Sequence, residues 1–284
     1  MGIRDGQILG VQQISGVGPV SDRWVLVIMG DGYHTGTDMT QFRADAAALA
    51  ATLLATPPYS SLTAGINIFR VDVESFDTGV KEPTKCGGSG TPFNTYFEAS
   101  LCGDGVLRRY LTIKKELALS AAKVHVPQWD QIIVVANSPL YGGGALNGGV
   151  ATCTRHPQGW QVAMHELGHN LGLADEYEEN PGAYPAAWLE PEANIAKNPA
   201  ALKWGSLVAP GTPIPTQVNA GCSQQGPATP AAGGVYGAFE GAKRYTCNIY
   251  RPSATCKMRV ITDDFCQVCQ DHIRSKLSTF MPHT

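Results

Sequence analysis

Residues 23–29, RWVLVIM, form an apolar run closed by GDGY at 30–33, the pattern of a buried strand ended by a glycine turn. Asp38 to Gln41 then has the form of a capping box before an Ala- and Leu-rich stretch that stops at Pro57 and Pro58, which predicts a helix. INIFRVDVES, residues 66–75, alternates around Ile66, Ile68, Val71 and Val73 as a second strand does. A Gly-, Thr- and Cys-containing stretch from about 76 to 105 is too long for a plain connector, and Cys86 and Cys102 are placed to staple it. Helical spacing returns over 106–123 through Leu107, Tyr110, Leu111, Leu117 and Leu119, and DQIIVVANS from Asp130 reads as a third, fully buried strand.

The order strand, helix, strand, helix, strand predicts an α/β protein with a largely parallel sheet covered by helices. After it, YGGGALNGGVATCT is Gly-rich and ends in a β-compatible piece, Val150 to Thr154, whose composition suits a sheet edge that something approaches closely. A helix is expected from about Pro157. From Pro181 the pattern weakens, Pro, Gly and Ala dominate, and regular structure is next expected at Asp263, where DDFCQVCQDHIRSKL reads as a final helix. No internal repeat is visible.

Composition narrows the class. The chain has 284 residues with 43% hydrophobic and 16% charged content, enough apolar material for a real core and roughly two domains' worth of length. The 32 Gly and 19 Pro stay below a low-complexity level and predict many ordered loops. The net charge is −3 with no basic block, so the electrostatic footprint for nucleic acid is missing. Eight cysteines read first as disulfides, hence an oxidising, extracellular setting. MGIRDGQILG lacks an apolar signal core and no apolar run is long enough to span a membrane, so a secreted chain whose leader is absent from this sequence reconciles the two.

The chemistry lies in GWQVAMHELGHNLGLADEYEE, where His165, Glu166 and His169 make HExxH. Imidazoles at i and i+4 share one helix face and can bind one zinc ion, while Glu166 points beside the ion and can act on water. Three fixed residues recur by chance about once in 8,000 windows, so the continuation decides. Gly172 is poor inside a helix but suits a stop and turn that brings Asp175 back as third ligand, completing HExxHxxGxxD. With three protein ligands a fourth position stays open for water, and Glu166 is the expected general base of peptide hydrolysis. Glu176 and Glu190 are alternative third ligands; Asp175 is preferred for its spacing after Gly172, and Glu176 is read as a solvated or salt-bridged carboxylate.

HELGHNLGLADEY, with GDGY at 30–33 and CKMR…FCQVC near the C-terminus, resembles the metzincin zinc endopeptidases and, among them, the bacterial IgA-peptidase type of metallopeptidase. The resemblance covers most of residues 20–280. It implies a metzincin-like α/β fold, with a twisted, mostly parallel sheet and covering helices above an active-site cleft. An irregular C-terminal lobe with a final helix would lie below. It further implies an N-terminal extension over 1–20 and one catalytic domain over 21–280, its upper lobe about 21–175 and its lower lobe about 176–280. A Met-containing turn under the metal would fall at Met258; Val260 stands where metzincins often carry a Tyr, so no oxyanion role transfers there.

The expectation is therefore a secreted, monomeric zinc endopeptidase acting on extracellular proteins or peptides, with His165, His169 and Asp175 as ligands and Glu166 as catalytic base. Substrate is expected to add as a strand along the Gly-rich edge at Gly148 to Thr154. The rivals are a zinc exopeptidase or amidase, and a secreted binding or adhesion domain with a structural metal. Tyr177, Tyr245 and Tyr250 are read as packing residues. His34, His125, His156, His272 and His283 are read as surface or hydrogen-bonded core histidines. Cys247, Cys256, Cys266 and Cys269 could make a structural zinc cluster, with disulfides the preferred reading. The aspartate of GDGY is expected to hold a turn.

Overall fold

The computed structural model describes residues 6–223 and 234–282, so the first five residues and His283 lie outside it. The chain is a mixed α/β protein that divides into two compact units, Met1–Asn170 with Leu277–Thr284, and Leu171–Lys276.

The first unit is built on six strands. In chain order its elements are β1 (Gly6–Ser15), β2 (Trp24–Asp31), α1 (Thr37–Ala55), β3 (Ile66–Ser75), α2 (Lys115–His125), β4 (Gln131–Ala136), β5 (Gly143–Leu146), β6 (Val150–Thr154) and α3 (Gly159–Asn170). The sheet order is β1-β3-β2-β4-β6-β5, with β3, β2, β4 and β6 parallel and the two outer strands antiparallel. Every residue of β2 is buried because helices cover both faces of the sheet. Val25, Val27 and Met29 pack with Val71, Val73, Ile132 and Val134 against Ala118, Ala121 and Ala122 of α2. The alternate residues Leu26 and Ile28 face the other way, where α1 and α3 pack. α1 buries Met39, Phe42, Ala46, Leu49 and Leu53, a stripe at helical spacing.

Three local expectations are corrected here. The helix expected over 106–123 begins only at Lys115: Asp104 Oδ1 accepts from the amides of Val106 and Leu107, and Tyr110 and Thr112 bridge to Gly143 and Ser100. Long-range backbone pairing outweighs the helical spacing of the apolar residues. The Asp38 carboxylate accepts from His34 N (3.3 Å) and Thr78 Oγ1 (2.5 Å), and the N-cap position of α1 is Gly36, so the capping box does not form. Asp31 of GDGY holds a distant loop, accepting from Phe97 N (2.7 Å), Ala99 N (2.8 Å), Thr95 Oγ1 (2.7 Å) and Ser75 Oγ (3.2 Å). The disulfide Cys86–Cys102 staples that same loop, as its sequence suggested.

The second unit is more ordered than its composition implies. β7 (Glu178–Ala183), β8 (Phe239–Ala242) and β9 (Arg244–Arg251) form a three-stranded sheet in the order β7-β9-β8, and the final helix, α4, spans Gln267–Leu277. Its core gathers Ala174, Tyr184, Ile195, Ala242 and Ile249. The guanidinium of Arg251 is fully buried and is held by the Glu178 carboxylate (3.1 Å) and the Glu240 carbonyl (2.9 Å). Cys222 and Cys247 form a second disulfide, whereas Cys153, Cys256, Cys266 and Cys269 are free.

Candidate functional site

α3 carries the HExxH residues, and its register buries Val162, Ala163, Met164 and Leu167 while leaving Glu166 and His169 partly accessible. His165 and His169, one turn apart, bring their Nε2 atoms to 3.2 Å with ring planes at 90°. Two nitrogens on one tetrahedral zinc at ~2.0–2.1 Å stand about 3.3 Å apart, so the spacing fits a shared ion. α3 ends at Asn170, and Gly172 follows with φ of 96°, a conformation that strains any residue with a Cβ. Asp175 follows three residues later, so that His165, His169 and Asp175 are candidate ligands for one ion. The donor set, two imidazoles and a carboxylate, suits zinc.

Asn194 and Lys243, which the sequence alone does not mark, join His272 and Met258 in holding the segment that carries Asp175. The Asn194 side chain, fully buried, accepts from Ala174 N (2.8 Å) and donates to Ala174 O (2.9 Å) and to Glu176 Oε1 (2.9 Å). His272 Nε2 lies 2.8 Å from the Leu171 carbonyl and therefore donates to it. Lys243 N donates to the Asp175 carbonyl (2.8 Å), and Glu176 N to the carbonyl of Met258 (2.8 Å), itself fully buried. Nothing in the local pattern around Asn194 signals this role.

Glu166 faces the short strand β5. A Cβ added to Gly143 would overlap Val162 Cγ1 and stand 3.6 Å from Glu166 Cγ, so glycine allows the strand to lie against the active helix. The phenols of Tyr110 and Tyr141 are pushed up, first by burial and in both cases also by the Glu166 charge. Tyr141 also packs edge-on against His156. Neither Tyr110 nor Tyr141 stands at a fixed offset from the motif, so the sequence alone does not mark either as part of the site.

The expected substrate edge is corrected. β6, Val150 to Thr154, is flanked by β4 and β5, so both of its hydrogen-bonding edges are used. The outer strand is β5, and at Gly143 its backbone is already bonded to Arg109 O and Leu111 N. Glu190 is paired with Lys197 (3.4 Å). Glu176 is neither solvated nor salt-bridged but fully buried beside Cys256, Cys266 and Cys269, none of which is in a disulfide. Tyr245 stacks edge-on with Tyr184 and Trp188, and Tyr250 pairs through its backbone with Ala196, in keeping with packing roles. His34 is bonded to the Ser75 carbonyl (3.0 Å).

A sheet-and-helix unit that carries HExxH on a buried helix has the makings of a metallopeptidase. The profile of the family described as IgA Peptidase M64 matches residues 12–224 and 228–277. The chain belongs to this family of metallopeptidases. No curated protein matches it.

Proposed function

We propose that the chain is a zinc-dependent endopeptidase of metzincin-like organisation, with residues 21–280 as its catalytic domain. His165, His169 and Asp175 hold the metal and Glu166 is the general base. The observation that carries this reading is the pair of imidazole nitrogens 3.2 Å apart on one helix face, followed in the chain by a turn at Gly172 and then Asp175. When bound, zinc supplies a Lewis acid that makes water nucleophilic near neutral pH and polarises a peptide carbonyl. The Glu166 carboxylate takes the proton of the attacking water and delivers it to the leaving amine. Tyr110 and Tyr141, close enough to feel the Glu166 charge, keep their phenol protons at neutral pH and are available as hydrogen-bond donors to substrate.

The two disulfides support work outside the reducing cytosol, on extracellular proteins or peptides. No helix among the described residues is long and apolar enough to cross a membrane. The test is Glu166→Gln, assayed on end-blocked peptides beside the parent protein. Hydrolysis is expected to fall by about 10²–10⁴-fold with zinc content unchanged. A fully active variant refutes the assignment, and cleavage confined to peptides with free ends refutes the endopeptidase reading.

A further inference from the structure

We propose that Glu176, Cys256, Cys266 and Cys269 form a second metal site, a closed structural zinc centre distinct from the HExxH site. All four side chains are buried, and one ligand atom from each falls within 4.8 Å of the others. Cys256 Sγ and Cys269 Sγ are 3.6 Å apart. A disulfide requires about 2.05 Å, whereas two sulfurs at ~2.3 Å on one tetrahedral zinc stand about 3.8 Å apart. Cys269 Sγ and Glu176 Oε1 are 3.4 Å apart, against about 3.5 Å for a sulfur and an oxygen on the same ion.

Two independent features point to a ligand. Glu176 Oε2 is buried without a hydrogen-bond partner, a costly state for a carboxylate oxygen unless a cation satisfies it. The Cys266 amide donates to Cys256 Sγ at 3.3 Å, the kind of outer hydrogen bond that supports a metal-bound thiolate. Three thiolates and a carboxylate carry four negative charges, which a divalent ion halves; buried Arg251 is near enough for its charge to act on Glu176. Three soft sulfurs with one oxygen select zinc over calcium or magnesium, and four protein ligands leave no open position. Cys266 also borders an open depression of about 310 Å³ beside Tyr236 and Asp263, a path by which an ion can enter.

The centre ties the chain at Glu176 to the Cys256 turn and to the start of α4. Its ligand Glu176 directly follows Asp175, so it also fixes where Asp175 is presented. That positioning role rests on the catalytic reading, while the site itself does not.

The test uses the full chain and metal analysis. The parent protein is expected to hold about two zinc ions per chain, and His165→Ala/His169→Ala about one. Loaded with cobalt(II) alone, this double variant should show thiolate-to-cobalt charge-transfer absorption, and Cys266→Ser/Cys269→Ser should lose it. Should the cysteine variant fail to fold, the cobalt spectrum of the histidine variant still decides. The proposal is overturned if the histidine variant retains no zinc and shows no charge-transfer band. A disulfide joining any two of Cys256, Cys266 and Cys269, found by non-reducing peptide mapping, overturns it equally. Full hydrolysis by the histidine variant would defeat the catalytic reading alone, because the cobalt band reports only the thiolate site.

Discussion

Asn194→Ala offers a quantitative test of how Asp175, the proposed third ligand, is positioned. The substitution removes three hydrogen bonds from a fully buried group: two to the backbone of Ala174 and one to the Glu176 carboxylate. Two neutral bonds at about 1 kcal/mol each and one charge-assisted bond at about 2 kcal/mol give a loss of roughly 4 kcal/mol. Against a total of roughly 5–15 kcal/mol for an ordinary domain, that is a large fraction. Urea unfolding should show a lower midpoint with an unchanged slope. Because Asp175 stands between the two residues that Asn194 holds, zinc affinity measured by chelator competition should fall about 10–100-fold as well. Asn194→Asp keeps the shape but faces Glu176 with a second carboxylate, so it should rescue neither property. A loss below about 1 kcal/mol with zinc affinity unchanged would show that Asn194 does not hold this segment.

Asp175→Ala should release the zinc of the histidine site while the protein stays folded, read as one fewer ion by metal analysis; retention of the full metal content refutes Asp175 as a ligand. Gly143→Val places a side chain where only a hydrogen fits, against Val162 Cγ1 and the Thr152 carbonyl. It should cost about 1–3 kcal/mol by overpacking and lower activity through Glu166, measured by denaturation and peptide assay. Breaking the Cys86–Cys102 disulfide, which closes a span of 16 residues, should cost about 3 kcal/mol in a Cys86→Ala/Cys102→Ala variant. In the native protein the Cys153 thiol should resist alkylation, because it is fully buried and burial pushes its pKa up; mass mapping of labelled peptides checks this.

The sequence by itself determined what is local. Apolar runs located β2 and β4, since strands buried on both faces need uninterrupted apolar residues, and alternation located β3. The four-residue interval from His165 to His169 placed both imidazoles on one face, because helical geometry alone sets that spacing. Gly172 was legible for a similar reason, as a positive φ is what glycine tolerates.

Tertiary structure decided what depends on residues distant in sequence. The spacing over 106–123 was helical, yet the bridges of Tyr110 to Gly143 and of Thr112 to Ser100 keep the chain before Lys115 out of the helix. Glu176 and Cys269 lie 93 positions apart, and no short window could show that a supposedly solvated carboxylate would be buried among three thiols. The same holds for the cysteines, whose even number suggested pairs. Folding joined Cys222 to Cys247 and left Cys256, Cys266 and Cys269 together without a bond, because the approach of the sulfurs is set by the packing of whole elements rather than by spacing along the chain.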